Sequence, residues 1–261
     1  MSVKQCWFAF SNAHFVLHLN LSLSCRTYTN IPELRNRSIP IIGLYAPDVT
    51  EADLENYHKN CPIVQLRPFT VSAYPNYFAD LKNYRFKFPT VASVLPEFTT
   101  IFYVDASIRL YSIKGETLTD LFKSMETEFA PTGIRMLYQS WHRNFPATHP
   151  DMYAFFNVTE KQMKDTAQAA SGLYFLNNSP QGWAIINKLI QCALEPKCMA
   201  PKGAKVECDY PMLRKNEKAV CHRFDQSALN MRLIEVYGTN VSLYYRGSDM
   251  IQIFQLTECS L

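Results

Sequence analysis

TTIFYVDAS, Thr99 to Ser107, is the stretch on which the fold turns. Its first six residues are β-branched or aromatic, the side chains that suit a pleated sheet, and the run then ends in Asp105. An apolar run of this length without alternation predicts a strand buried on both faces. A carboxylate closing such a strand is costly unless it is paired, hydrated or bound to metal. Open α/β sheets bind ligands at the carboxyl ends of their strands, so Asp105 is a candidate site residue. Ser107 and Arg109 follow at alternating positions, and Asp105 with Ser107 offers two oxygens to a hard divalent cation. The plainer reading is an aspartate that ends a strand and bonds to a turn.

Outward from this strand, strands and helices alternate. CWFAF, residues 6–10, IPIIGLY, residues 39–45, and CPIVQLRPF, residues 61–69, read as strands upstream. TEADLENYHKN, residues 50–60, lies between the last two with Thr50 as N-cap and Asp53 three residues on. NYFADLKNY, residues 76–84, and PTVASVLPEF, residues 89–98, read as helices, the second with Pro89 in its first turn. Arg85 and Lys87 sit just before it. They are either solvated charges or a pair of phosphate-binding cations.

Downstream, TLTDLFKSMETEF, residues 117–129, reads as a surface helix, and Trp141 to Pro150 as a polar loop. TEKQMKDTAQAA, residues 159–170, opens with the capping pair Thr159 and Gln162. GLYFLNN, residues 172–178, is a strand with Gly172 at its mouth, placed for close ligand approach or for a bulge. PQGWAIINKLIQCAL, residues 180–194, is an amphipathic helix, and VSLYY and IQIFQL are terminal strands. Interleaving of this kind predicts a mostly parallel α/β sheet with helices on both faces, in a single domain spanning residues 1–261.

CHRFDQSALNMRL, Cys221 to Leu233, gathers a histidine, an arginine, an aspartate and a glutamine at the start of an amphipathic helix. Ala228, Leu229, Met231, Leu233 and Ile234 supply the apolar face. The unpaired N–H groups of a helix N-terminus suit an anion or a polarised ligand. An aspartate in that place is also an ordinary cap.

The 261 residues carry 48% hydrophobic and 19% charged side chains, enough for a substantial core and too few charges for disorder. The net charge of +3 is small and its lysines and arginines are scattered, which argues against nucleic acid. The eight glycines form neither G-x-G-x-x-G nor a P-loop, so glycine-rich backbone does not cradle any nucleotide phosphates.

Four of the eight cysteines, Cys192, Cys198, Cys208 and Cys221, lie close together without the paired knuckles of a zinc site. Two disulfides stapling the loop at about residues 192–221 fit better, and imply an oxidising compartment; free buried thiols are the alternative. Sequons at Asn20, Asn36, Asn157, Asn177 and Asn240 agree with a Golgi or ER lumenal, or secreted, glycoprotein. Residues Gln5 to Cys25 carry no formal charge, but Ser11, Asn12, His14, His18 and Asn20 interrupt them. A strand followed by a loop and a helix is expected there rather than a membrane anchor.

YRFKFPTVASVLPEFTTIFYVDASIRLY, residues 84–111, resembles the centre of GT-A-type glycosyltransferases, where a helix carrying a basic residue precedes a strand ending in an Asp-x-Asp-like motif. SGLYFLNNSPQGWAIINKLIQCAL, residues 171–194, resembles the later strand and helix bordering their sugar pocket. VDASIR, CALEPKCMAPKGAKVEC and CHRFDQSALN more closely resemble an invertebrate family of GT-A-like proteins expanded in nematodes. The resemblance runs from about Phe8 to Tyr237 and is weakest before Tyr74.

The resemblance implies a nucleotide-sugar donor, a glycan or glycoprotein acceptor and a Mn2+ or Mg2+ ion. Asp105 would face the metal and diphosphate, with Ser107 where many relatives carry a second aspartate. Lys87 would neutralise the diphosphate side. Ser11 and Asn12 would lie near the base or ribose, and Gly172 would border the donor sugar. Asp225 and Gln226 would flank the transferred sugar as catalytic residues, with His222 and Arg223 beside them for acceptor or phosphate contact. Because Asp-x-Asp is reduced here to Asp-Ala-Ser, and no histidine follows His222, the metal site departs from the pattern. Lys87, Arg109 and hydroxyl groups are then left to stabilise the leaving nucleotide. Two readings stay open: an active glycosyltransferase, and a catalytically inactive GT-A-fold scaffold.

Overall fold

Four parallel strands build the first half of the main sheet: β1 (Gln5–Ser11), β2 (Ile41–Tyr45), β3 (Val64–Pro68) and β4 (Thr100–Asp105). The structure, a computed structural model, describes residues 5–11, 31–47, 49–105, 108–110, 115–248 and 251–252, with the backbone alone at 5–11, 109–110 and 251–252. Downstream come β5 (Arg109–Leu110), β6 (Ile134–Met136), β7 (Gln139–Arg143), β8 (Ala167–Ala169), β9 (Leu173–Asn177) and β10 (Ile251–Gln252). The main sheet has the order β3-β2-β1-β4-β9-β6, with β9 antiparallel to both β4 and β6. It is therefore mostly parallel, and β4 lies near its centre. β5 with β10, and β7 with β8, form separate two-stranded ribbons.

The helices are α1 (Pro32–Arg35), α2 (Glu51–Asn60), α3 (Lys87–Val94), α4 (Leu118–Glu126), α5 (Glu160–Asp165), α6 (Pro180–Leu194), α7 (Tyr210–Lys215) and α8 (Asp225–Tyr237). Capping boxes start three of them: Thr50 with Asp53, Thr117 with Asp120 and Thr159 with Gln162.

Alternation along the strands sorts side chains into two cores. Ile101 and Tyr103 of β4, with Tyr174 and Leu176 of β9, pack against α3, α6 and α8. Phe102 and Val104, with Leu173 and Phe175, pack against α4 on the other face. The Phe102 and Phe175 rings stack at 4.1 Å between centroids. Truncating either to alanine in so dense a layer costs about 3–5 kcal/mol. Asp105 falls on the same face as Tyr103, which directs it toward α3 and α8 rather than α4.

Several local expectations yield to context. Residues 76–84 form two 3-10 turns, Asn76–Ala79 and Leu81–Asn83, instead of a helix. The Tyr74–Phe78 stack at 4.7 Å holds the chain against the core there. α3 begins at Lys87, two residues before Pro89. Trp141 to Pro150 is not all loop, since β7 occupies its first residues. The tail of 159–170 is strand β8, and VSLYY holds a 3-10 turn at Val241–Leu243. CWFAF lies in β1, between β2 and β4, while the loop and helix expected after it fall outside the described residues. Among the described residues no helix is long and apolar enough to cross a membrane.

Candidate functional site

The site begins where β4 ends. The Asp105 backbone N–H donates to Gly172 O at 2.7 Å, which ties the carboxyl end of β4 to the start of β9. The Tyr103 hydroxyl donates to Asp105 Oδ1 at 2.7 Å, and Lys87 Nζ donates to Oδ2 at 2.9 Å. Gly172 is needed for this arrangement. A Cβ at that position would lie 3.0 Å from Asp105 Oδ2, tighter than an ordinary contact.

Lys87 is the first residue of α3, with its side chain almost wholly buried. A helix N-terminus disfavours a cation, so this ammonium needs strong anionic partners. It has two: Asp105 Oδ2 at 2.9 Å and Asp225 Oδ2 at 2.9 Å. Burial alone would lower its pKa, but Asp105 and then Asp225 outweigh burial and raise it, so Lys87 stays charged. Its Nζ also stands 5.1 Å from the centre of the Tyr84 ring, and Tyr84 has a left-handed backbone (φ 54°).

Asp225 arrives from the other side as the first residue of α8. It is not the cap. Phe224 holds the N-cap place without a capping bond, and the Ser227 hydroxyl accepts the Arg223 N–H at 3.1 Å instead. Phe224 has φ 42° and ψ −110°, an unfavourable backbone for an aromatic residue, and rings of Tyr84 and His222 flank it. The kink delivers the Asp225 carboxylate into the site, where Oδ2 accepts from the Ser171 hydroxyl at 2.6 Å as well as from Lys87. Gln226 donates to Gln168 Oε1 at 2.6 Å and accepts the Ser171 N–H at 3.4 Å. Asn230 brackets Ala169, bonding its O at 2.7 Å and its N–H at 2.8 Å. α8 is thus stitched to the segment that carries Ser171 and Gly172.

Tyr174 stacks on Tyr103 at 5.1 Å, and its buried hydroxyl has no hydrogen-bond partner among the described residues. Burial first, then the charges of Asp225 and Asp105, hold its pKa well above the ordinary value. Neither tyrosine supplies a phenolate here. They are neutral walls under the carboxylates.

Several of these groups line a cleft of about 550 Å³. Lys87, Asp105, Gly172, Arg223, Asp225 and Gln226 line it, so the structure brings six of the expected residues together. The Arg223 guanidinium has no hydrogen-bond partner among the described residues. The rest of the lining includes Tyr138, Trp141, His142, Tyr210 and Arg214. His142 and Arg143 do not share one polar loop. His142 is buried on β7 and lines the cleft, and burial lowers its pKa, while Arg143 points outward and donates to Asp165 O at 2.9 Å.

His222 does not reach the cleft. It is 0% exposed, its Nδ1 accepts the His149 N–H at 3.2 Å, and its Nε2 lies 2.9 Å from Met199 O. Burial, against the pull of the Met199 carbonyl, lowers its pKa to about 4, so it is a neutral structural group. Arg85 is also a scaffold residue. Its guanidinium donates to Ala193 O at 2.7 Å, Glu195 O at 3.0 Å and Pro196 O at 2.8 Å, closing the C-terminus of α6.

Ser11 ends β1, next to Phe10, which pairs with Asp105 at the carboxyl end of β4. Arg109 pairs with Gln252 across the β5–β10 ribbon. Asn12 and Ser107 lie outside the described residues.

Divalent metal fits the described groups poorly. No cluster of three His, Cys, Asp or Glu occurs among them, and both oxygens of Asp105 already accept hydrogen bonds, one from an ammonium. That ammonium supplies the positive charge a cation would bring, and repels a second one.

Sequence reading missed Ser171, Tyr103, Gln168 and the aromatic wall. Tyr103 was legible as the residue two before Asp105 on one strand face. Ser171 and Trp141 carried no local signal.

The four clustered cysteines form two disulfides, Cys192–Cys198 and Cys208–Cys221, with Cα separations of 5.1 and 5.0 Å. The second ties the segment leading into α7 to the residue just before His222.

The fold matches solved glycosyltransferases. Mouse xyloside xylosyltransferase 1, in its apo form, superposes with a TM-score of 0.52 at 12% identity, over 95% of this chain and 86% of that one. Core-mannan synthase A from Aspergillus fumigatus, in a Mn/GDP form, gives 0.55 at 8% identity, over 96% and 74%. The chain has the GT-A glycosyltransferase fold. The bifunctional glycosyltransferase WbbM, also apo, matches at 0.51 and 11% identity, over 89% of this chain and 38% of that one. No family model and no curated protein sequence matches the chain. At such identities the likeness lies in the GT-A architecture, and the argument for chemistry rests on the cleft itself.

Proposed function

We propose that the chain, as one GT-A domain, transfers a sugar from a nucleotide-sugar to a hydroxyl of a glycan or protein. The observation that carries this reading is the meeting of Asp105 and Asp225 on one buried ammonium, at the carboxyl ends of β1 and β4. In such a reaction the bond from the anomeric carbon to the diphosphate oxygen breaks, its electron pair leaves on the diphosphate, the acceptor hydroxyl oxygen bonds to that carbon, and the hydroxyl proton passes to the departing diphosphate. Asp225 is placed to offset the positive charge growing on the sugar, with Gln226 holding it from the next position. Lys87 and Arg223 supply positive charge for the departing diphosphate, preorganised in a site partly shielded from water. Ser11 and Asn12 are assigned to the base or ribose, and Arg109 and Ser107 to the phosphates, from their places along the chain.

A second reading, an inactive GT-A scaffold, draws on the engagement of Lys87 with both carboxylates and on the reduced Asp-Ala-Ser motif. The two disulfides support an oxidising site of residence, the Golgi or ER lumen or the exterior.

The test is release of nucleoside diphosphate from a panel of nucleotide-sugars, with Asp225→Asn as the variant. Activity should fall by about a hundredfold or more in a protein that still folds. Uridine or guanosine diphosphate should raise the melting temperature, and should still do so in a chelator, because Lys87 rather than a metal carries the local charge. If no nucleoside diphosphate stabilises the protein, with or without manganese, the scaffold reading takes over.

A further inference from the structure

The cleft that holds Asp225 is also lined by exposed aromatic rings. Among the described residues, the exposed large apolar side chains include three aromatics, Tyr138 at 42%, Trp141 at 56% and Tyr210 at 53%, and all three line this cleft. Scattered exposed rings are unremarkable, but their convergence on one concavity is the mark of a binding surface.

These rings are held, not loose. Trp141 stands on β7 with its ring edge-on to His142 at 5.3 Å and the Arg214 guanidinium 5.2 Å from its centre. Tyr210 opens α7, where Asp209 caps the helix through the Met212 N–H at 3.0 Å. The Trp141 and Tyr210 rings are 5.9 Å apart and tilted by 40°, so they do not cover each other's faces by stacking. The Cys208–Cys221 bond tethers the start of this segment. A surface ordered in advance loses little entropy when it binds.

Resting on the reading of this cleft as a sugar-transfer site, we infer that Trp141 and Tyr210 form the acceptor subsite, and that the acceptor is itself a saccharide rather than a bare peptide hydroxyl. A sugar ring has an apolar C–H face and a rim of hydroxyls. Flat rings take the first, and the Arg214 and Arg223 guanidinium groups and the tyrosine hydroxyls take the second. A peptide is recognised through main-chain hydrogen bonds or pockets for its side chains. This cleft presents aromatic rings instead, with the Arg214 guanidinium over the Trp141 ring.

The experiment uses the full chain and a panel of immobilised oligosaccharides ending in xylose, glucose, galactose, mannose or N-acetylglucosamine, beside unglycosylated Ser/Thr peptides. Any captured oligosaccharide is then titrated in solution against tryptophan fluorescence. The chain has three tryptophans, and Trp141→Phe assigns the signal to this ring. The expected result is capture of at least one saccharide class, a fluorescence change lost in Trp141→Phe, and affinity weakened about tenfold or more in Trp141→Ala. Tyr210→Ala, checked by its melting curve, decides the matter if Trp141→Ala does not fold. Capture of peptides alone, no capture, or capture indifferent to both alanine variants overturns the inference. If nucleoside diphosphates still stabilise the protein in that case, the transfer reading survives; if they do not, it falls as well.

Discussion

Lys87 reaches Asp225 with Nζ 2.9 Å from Oδ2, and the same nitrogen lies 2.9 Å from Oδ2 of Asp105. Two acidic side chains from distant parts of the chain thus share one cation in a buried setting. Such a bridge contributes little net stability when intact, yet it is expensive to break, because the partners left behind are charged and poorly hydrated.

Replacing Lys87 by Met should therefore cost about 3–5 kcal/mol at neutral pH. The wild-type lysine has its pKa raised above the ordinary 10.5. Its contribution is complete below that value and is lost as pH climbs through the folded-state pKa. In Lys87→Met the two carboxylates face each other without their shared cation, so its melting temperature should lie well below that of the wild type. Calorimetry at neutral pH checks this. A variant as stable as wild type would show that the bridge has no energetic role.

His222 makes the opposite pH argument. Its pKa falls from 6.5 unfolded to about 4 folded, so the folded state favours the neutral ring. Its contribution is present above 6.5 and is lost as pH drops toward about 4, amounting to about 3 kcal/mol when complete. His222→Gln should flatten that part of the acid denaturation curve. It should leave nucleotide-induced stabilisation in place, since His222 has no surface in the cleft. Loss of nucleotide binding without loss of stability would return His222 to the site.

Gly172 tests the clearance around Asp105. Gly172→Ala puts a methyl group 3.0 Å from Oδ2, which must shift against its bond to Lys87. Stability should fall by about 1–3 kcal/mol, as in other overpacked sites, and transfer should fall further than stability explains. Melting curves and initial rates on one preparation separate the two effects.

The disulfides give a redox prediction. Cys208–Cys221 closes a loop with a sequence separation of 13, and its removal should cost about 3 kcal/mol. Cys208→Ser with Cys221→Ser should also weaken oligosaccharide capture by loosening α7 beside Trp141. Non-reducing mass mapping should find the pairs 192–198 and 208–221. Free thiols at all four positions would overturn the oxidising-compartment argument.

Sequons divide by structure. Asn36, Asn157 and Asn240 are exposed, whereas Asn177 accepts from Thr100 at 2.8 Å and donates to Met125 O at 2.8 Å. Its amide is engaged inside the fold, so this sequon no longer reads as a surface acceptor.

Amino-acid order alone carried the secondary elements with strong local signals. The unbroken apolar run before Asp105, the Thr-led capping boxes and the apolar face of residues 180–194 each form because neighbours a few positions apart determine hydrogen bonding and burial. The α/β alternation followed from them, as did the placing of Asp105 at the end of a strand and of Asp225 at the start of a helix. Chain order did not reveal the reversed direction of β9, the burial of His222 and Arg85, or the turns at 76–84. Each depends on partners far away along the chain.

Only the tertiary structure decided that Lys87 stands between the two aspartates, that an unfavourable Phe224 backbone turns Asp225 inward, and that Trp141 lines the same cleft. The physical reason is range. Propensity and periodicity act over a turn or a strand, while charge pairing and cavity shape are set by which surfaces the sheet order brings face to face.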